Sequence, residues 1–220
     1  MVQTAVSRVG FHSARRSLPA LDAAPPALAA GRFVRASYSN PYGNRTYKVY
    51  IPARDQGQRR PLLVMLHGCK QNADGFAAGT RMNALADEFG FIVAYPEQAL
   101  AANTLRCWNW FQSDDQQRDL GESSAHPVPA IVFHGDVDTT VHPSNSEHAF
   151  AARTVESGEA CGRTYTRTLE AGGTGRPALE HWLVHGAGHA WSGGSRSGSY
   201  ADPLGPDASR EMLRFFLRPA

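Results

Sequence analysis

This 220-residue sequence has no long apolar run, only three cysteines and almost no excess of charge of one sign. It contains no run of about eighteen apolar residues, so no membrane-spanning helix is predicted. The formal net charge is only +2 at pH 7, which argues against the basic stripe of a nucleic-acid-binding protein. Residues 1–30 lack the apolar stretch of a secretory signal. The sequence therefore shows no export signal and leaves a cytoplasmic location open.

The first informative stretch is a short apolar run at residues 62–66, between Pro61 and Gly68. A run of this length with these boundaries favours a buried strand over a helix. Gly68 allows a sharp turn, and the N–H groups after it can face a cavity in which an anionic oxygen develops, where one such donor contributes roughly 3 kcal/mol. The alternative is an ordinary strand-to-loop turn.

The rest of the chain has the pattern of an α/β fold. Residues 33–38 and 45–51 predict a hairpin. Thr80 is the expected cap of a helix that ends at Gly90. A strand at residues 91–95 would complete a right-handed crossover and make the sheet mostly parallel. Further predicted elements are strands at 128–133, 163–169 and 179–184, a helix from Ser144 towards Arg153, and a last helix capped by Asp207.

Four signatures then occur in one order, and together they resemble the polyhydroxybutyrate depolymerase family of esterases. They are His67-Gly68-Cys69-x-Gln71, Cys107-Trp108-Asn109-Trp110-Phe111, Phe133-His134-Gly135-Asp136-x-Asp138-x-x-Val141-x-Pro143-x-Asn145 and Gly188-His189-Ala190-Trp191-Ser192-Gly193-Gly194. The resemblance implies an α/β-hydrolase fold, a small or polymeric ester as substrate, no cofactor, and an extracellular or periplasmic location. It also implies a serine nucleophile in a Gly-x-Ser-x-Gly elbow.

The resemblance also assigns roles to single residues. Asp138 would be the acid that orients a histidine, with Asp136 as its competitor, and His189 would be the general base. His67, Gly68, Cys69 and Gln71 would form the oxyanion turn. Trp108, Trp110 and Trp191 would line the substrate groove, with core packing as the alternative for at least one of them.

The nucleophile segment is absent, because no Gly-x-Ser-x-Gly pentapeptide occurs in the sequence. Residues 112–127 are almost entirely polar and lead directly into the strand at 128–133. Since each strand-helix-strand unit takes about 30 residues, we expect an internal deletion on the order of 60 to 100 residues near residues 124–126. Ser123 and Ser124 are not expected to replace the lost serine, because no apolar strand precedes them.

The deletion leads to predictions for the architecture. Residues 1–30 would be a disordered or loosely packed leader, and residues 31–220 a single truncated α/β-hydrolase domain that lacks the central elbow strand and its neighbours. The sheet would close its gap by pairing residues 62–66 with residues 130–133. Cys69 and Cys107 would lie beside one pocket, either bridged or as two free thiols, whereas Cys161 has no evident partner.

Two other functions stay open. The chain could be a non-catalytic remnant or a binder of apolar ligands. A metal-dependent hydrolase is a minor alternative, since His181, His185 and His189 are spaced four apart. Gly186 and Gly188 argue against the helix that this spacing requires. The oligomeric state is not predicted.

Overall fold

The computed structural model describes residues 31–40, 43–53, 59–109, 129–146, 153–172 and 177–217, without the side chains of residues 153 and 177. The predicted leader, Trp110 and the pair Ser123 and Ser124 lie outside the described residues. The described residues divide into two compact units, one within residues 31–109 and the other within residues 129–217. The single domain expected over residues 31–220 stays a prediction.

The first unit is a mixed four-stranded sheet with two described helices. The strand order is β1-β2-β4-β3, with β1 and β2 antiparallel and β3 and β4 parallel. The predicted hairpin and the strand-helix-strand crossover are therefore both present. The elements are β1 Arg32–Asn40, β2 Gly43–Ile51, β3 Leu62–Val64, α1 Ala73–Thr80, α2 Met82–Phe89 and β4 Ile92–Pro96.

Helix α1 was not predicted, and its presence changes the role of Thr80. The side chain of Asn72 caps the start of α1 by accepting a hydrogen bond from the Gly75 N–H at 2.8 Å. Thr80 is the last residue of α1, and its hydroxyl donates back to the carbonyl of Phe76 at 2.9 Å. The prediction that Thr80 caps α2 is therefore wrong. The predicted end of α2 at Gly90 is confirmed, with Gly90 in the left-handed conformation at φ 76°.

The second unit contains a four-stranded sheet in the order β5-β8-β7-β6 and a separate pair of short strands. β5 and β8 are parallel, as are β9 and β10, whereas β7 is antiparallel to both of its neighbours. The elements are β5 Ala130–Gly135, a 3₁₀ turn Pro143–Ser146, β6 Arg153–Ala160, β7 Arg163–Ala171, β8 Pro177–Val184, β9 Trp191–Ser192, β10 Ala201–Asp202 and α3 Ala208–Leu217.

Several expectations need correction. The described strands form mixed sheets, so the mostly parallel sheet is not observed. Among these strands β3 pairs only with β4 and β5 only with β8, so the pairing of residues 62–66 with residues 130–133 is wrong. At Pro143–Ser146 a 3₁₀ turn replaces the start of the helix expected from Ser144. β6 was missed because its sequence, RTVESGEA, has no apolar alternation.

A buried charge network attaches α3 to the second sheet. Glu180 on β8 is fully buried, and its carboxylate accepts hydrogen bonds from Arg167 on β7 and Arg214 on α3. Burial raises the pKa of Glu180, but the hydrogen bonds from Arg214 and Arg167 outweigh it and hold the pKa below its usual value. The carboxylate is thus ionised, and both of its oxygens accept hydrogen bonds.

Within the described residues, no helix has both the length and the apolar character needed to cross a membrane.

Candidate active site

The structure brings Asp138 and His189 into direct contact. Nδ1 of His189 lies 2.8 Å from Oδ2 of Asp138, although the two residues are 51 positions apart in the sequence. The Asp138 side chain is 6% exposed and the His189 side chain 24% exposed. A carboxylate can only accept, so Nδ1 of His189 carries the hydrogen in this bond. That leaves Nε2 as the basic nitrogen, and it has no partner among the described residues.

Asp138 is held by its own loop. Its Oδ1 accepts hydrogen bonds from the backbone N–H of Thr140 at 2.8 Å and of Val141 at 2.9 Å. Burial raises the pKa of Asp138, but these amide bonds and the contact with His189 together bring it below its usual value. His134, which sequence reasoning did not single out, bonds through Nε2 to the Val141 carbonyl at 2.9 Å and lies 3.6 Å from Oδ2 of Asp138.

The loops that carry the acid and the base meet through a close backbone approach at Gly135. A Cβ atom at Gly135 would lie 2.1 Å from the carbonyl oxygen of Ala187. The Val137 N–H donates to that same oxygen at 3.2 Å. Only glycine fits at the end of β5, because any side chain would push the loop of Ala187 and His189 away from Asp138.

Asp136 binds a different histidine and so is not the partner of His189. Its Oδ2 lies 2.9 Å from Nδ1 of His185, and its Oδ1 accepts the Gly186 N–H at 2.7 Å. Nε2 of His185 is 3.0 Å from the hydroxyl of Thr166. Both ring nitrogens of His185 are therefore occupied, whereas one nitrogen of His189 is open. This contrast supports His189 over His185 as the base and gives Asp136 a bracing role.

The turn after β3 is built around a buried histidine. His67 is 2% exposed, and Nε2 of its ring accepts the Gln98 N–H at 3.1 Å. Nδ1 must then carry the hydrogen that is shared with the Gly68 carbonyl at 2.7 Å. Burial lowers the pKa of His67, which agrees with a neutral ring. His67 shapes this turn, and both of its ring nitrogens already have hydrogen-bond partners.

The backbone N–H groups of this turn differ in whether they already have a hydrogen-bond acceptor. The Gly68 N–H donates to the side-chain oxygen of Gln71 at 2.8 Å. The Lys70 N–H donates to Leu105 O at 2.7 Å, and the Gln71 N–H donates to Gly68 O at 3.2 Å. The Cys69 N–H has no acceptor among the described residues. Of the three amides that follow Gly68, those of Lys70 and Gln71 are therefore used and that of Cys69 is open among the described residues, while the Gln71 side chain orients the turn.

A disulfide joins this turn to the loop before Trp108. Cys69 and Cys107 are bonded, with Cα atoms 4.3 Å apart. The indole N–H of Trp108 donates to the His67 carbonyl at 2.8 Å. The guanidinium of Arg45 lies 5.3 Å from the centre of the Trp108 ring. Trp108 thus holds the turn in place through its indole N–H, and its half-buried ring lies beside the turn.

Trp191 lies in the core, which is the alternative that the sequence left open for the tryptophans. It is 8% exposed, and its indole N–H donates to the Ser209 hydroxyl on α3 at 3.1 Å. In the sequence Trp191 stands two residues after the candidate base His189, and this place alone does not distinguish a groove residue from a core residue. The third tryptophan of that set, Trp110, lies outside the described residues.

The three histidines of the metal alternative have separate partners in the structure. His181 lies within strand β8, where residues four apart are separated by about 13 Å rather than by one helical turn. The three imidazoles have different partners, since His181 bonds Ser146, His185 bonds Asp136 and His189 bonds Asp138. The described residues contain no group of three or more metal-binding side chains.

Comparison with known proteins agrees with the sequence signatures. Residues 45–128 match the family described as esterase PHB depolymerase. The predicted resemblance to polyhydroxybutyrate depolymerase esterases is confirmed. Poly(3-hydroxyalkanoate) depolymerase C of Paucimonas lemoignei is 36% identical over 106 residues, which cover 48% of this chain and 24% of that protein.

Other matches to this esterase group are longer but less similar. Feruloyl esterase B of Neurospora crassa is 29% identical over 171 residues, covering 77% of this chain and 52% of that protein. Acetylxylan esterase A of Emericella nidulans is 24% identical over 128 residues, covering 58% of this chain and 38% of that protein. The chain therefore spans about a quarter to a half of the length of these relatives.

Proposed function

We propose that this chain is a carboxylic-ester hydrolase polypeptide that keeps the acid–base pair but lacks the serine nucleophile, so that its serine-esterase turnover is impaired or absent. The observation that carries the proposal is the 2.8 Å contact between His189 and Asp138. It leaves Nε2 of His189 without a partner among the described residues. Asp138 fixes the tautomer of the ring and stabilises the imidazolium that forms when Nε2 takes a proton.

The reaction that this pair serves requires a hydroxyl group within about 2.6 to 3.2 Å of Nε2. In a complete serine esterase His189 would remove the proton from that hydroxyl as its oxygen attacks the ester carbonyl, and would then pass it to the leaving alcohol. By resemblance, Cys69 belongs to an oxyanion turn, and among the three amides after Gly68 its N–H is the one with no acceptor in the described structure. Loss of the serine alone can lower turnover by about a million-fold.

Two observations support an internal deletion as the reason for the missing serine. The sequence lacks the pentapeptide. The match to the esterase family ends at residue 128, close to the predicted gap. A segment removed there would take the elbow with it and leave the acid and base loops intact.

The proposed ligand is a carboxylic ester, either small or polymeric. The relatives are named for hydroxyalkanoate, feruloyl and acetylxylan esters, which share only the carboxylic-ester bond. The disulfide between Cys69 and Cys107 supports an extracellular or periplasmic location, because such bonds persist in oxidising compartments.

Pre-steady-state hydrolysis of p-nitrophenyl butyrate tests the proposal. The purified chain should release no burst of nitrophenol, because no acyl-enzyme forms. His189→Ala should change the trace as little as the matched control His142→Ala, whose imidazole is exposed and bonds Ser144. A burst of about one equivalent that His189→Ala removes and His142→Ala keeps would show a working serine esterase and refute the proposal.

A further inference from the structure

Tyr200, which none of the sequence signatures includes, packs edge-to-face with the ring of the candidate base. The centres of the Tyr200 and His189 rings are 6.3 Å apart and the ring planes are nearly perpendicular, at 80°. Tyr200 is 47% exposed, so part of its ring is accessible to a ligand. Its hydroxyl has no hydrogen-bond partner among the described residues.

Tyr200 is also held in a backbone conformation that disfavours its side chain. Its φ is 52°, in the left-handed region, where a bulky residue is an outlier. The chain around it is fixed, because the Trp191 N–H donates to Tyr200 O at 2.8 Å and Arg163 bonds the carboxylate of Asp202 at 2.7 Å. Strain of this kind persists where the surrounding structure over-determines it, often at ligand-binding sites.

We propose that Tyr200 is a specificity-determining residue, whose exposed ring packs against the organic group of an ester bound at His189 and favours aromatic groups over short aliphatic ones. This inference rests on the proposed function of the Asp138–His189 pair as an ester site, but it concerns binding and not turnover.

The distances fit this role. In a complete serine esterase the attacked carbonyl is separated from Nε2 of His189 by one hydroxyl group. The centre of the Tyr200 ring lies 6.3 Å from the centre of the same imidazole, so an organic group of several carbons on that ester is long enough to reach the Tyr200 ring. Aromatic rings attract one another at centre distances of about 4.5 to 7 Å, in stacked or edge-to-face arrangements. A short alkyl group offers less surface for the same contact. The free Tyr200 hydroxyl is a second contact point for a polar substituent.

Binding of two uncleavable ketones tests the proposal without any need for hydrolysis. Benzylacetone imitates an ester with an aromatic group, and diethyl ketone imitates a short aliphatic ester. Their dissociation constants are measured by NMR titration on the full chain, with the ring resonances of His189 as the reporter of the site. Tyr200→Ala should weaken benzylacetone about three- to tenfold and leave diethyl ketone within about twofold.

The controls separate binding from folding. Tyr200→Phe keeps the ring and should bind benzylacetone within about twofold of the wild type. Tyr38→Ala removes a tyrosine that is 62% exposed on β1 and should have no effect. Tyr200→Gly should weaken benzylacetone as Tyr200→Ala does, without a lower melting temperature, because glycine accepts the left-handed backbone.

Three results would overturn the inference: no shift of His189 by benzylacetone in the wild type, equal affinity in Tyr200→Ala, or an equal loss for both ketones. These outcomes are independent of the burst experiment, since neither ketone has a bond that the site can hydrolyse. A chain without esterase turnover can still show the Tyr200 preference, and an active esterase can lack it.

Discussion

Gly135→Ala is expected to separate the candidate base from its acid. The new Cβ would lie 2.1 Å from the oxygen of Ala187, 2.5 Å from its carbonyl carbon and 2.7 Å from the oxygen of Gly188. These atoms belong to the backbone of the loop that carries His189, so no side chain can rotate away to make room. The loop itself has to move.

The size of the effect follows from these distances. Ordinary contacts of a Cβ atom begin at about 3.4 Å, so the Ala187 oxygen has to retreat by more than 1 Å. Overpacking of this kind costs about 1 to 3 kcal/mol. Movement on this scale also breaks the 2.8 Å contact between His189 and Asp138 and the 3.2 Å bond from Val137 to Ala187.

The matched control is Gly188→Ala, which lies in the same loop, one residue before His189, where a Cβ would meet nothing within 4 Å. The two variants are compared by chemical denaturation and by the downfield NMR signal of the His189 Nδ1 proton. Gly135→Ala should lose the signal and stability, while Gly188→Ala keeps both. If Gly135→Ala unfolds at the wild-type denaturant concentration with the Nδ1 signal unchanged, the close approach at Gly135 does not position the pair.

Three further predictions concern stability. Glu180→Ala leaves Arg167 and Arg214, whose side chains are 18% and 20% exposed, without their fully buried carboxylate and should lower the unfolding free energy in urea by about 3 kcal/mol. Glu156→Ala removes a carboxylate that is 48% exposed and should lower it by under about 1 kcal/mol, and equal losses would refute the central role of Glu180. Cys69→Ser should cost about 2 to 4 kcal/mol, and an unchanged midpoint would contradict it. Because burial lowers the pKa of His67 from 6.5, its unfolded form binds more protons, so its stabilisation is complete above pH 6.5 and is lost as the pH falls through the folded pKa. His67→Asn should flatten the unfolding free energy below pH 6.5, and an unaltered slope would exclude His67 as its source.

The chemistry of the pair could be predicted because its residues occur in local signatures. Asp138 follows a β-rich apolar run and His189 stands among glycines, so both were expected at strand ends, and the structure places both in loops after β5 and β8. The bracing of Asp136 by His185 and the glycine requirement at Gly135 depend on contacts about 50 positions apart, which no local pattern encodes.

The errors in the predicted fold also have identifiable causes. Helix α1 contains Gly75 and Gly79, which lower helix propensity and conceal the cap at Asn72 followed by the acidic Asp74. The wrong strand pairing came from assuming that a deleted sheet closes its gap. Among the described strands, β3 instead lies at the edge of its own sheet.

Labelling with a fluorophosphonate, read by intact mass, tests the central claim that the acid–base pair is present without a nucleophilic serine. The probe forms a covalent adduct only with a serine that a base has activated. The account predicts no adduct on the full chain, even though Asp138 and His189 are in contact. A stoichiometric adduct at Ser123 or Ser124 that His189→Ala abolishes would contradict it and show that the chain supplies its own nucleophile.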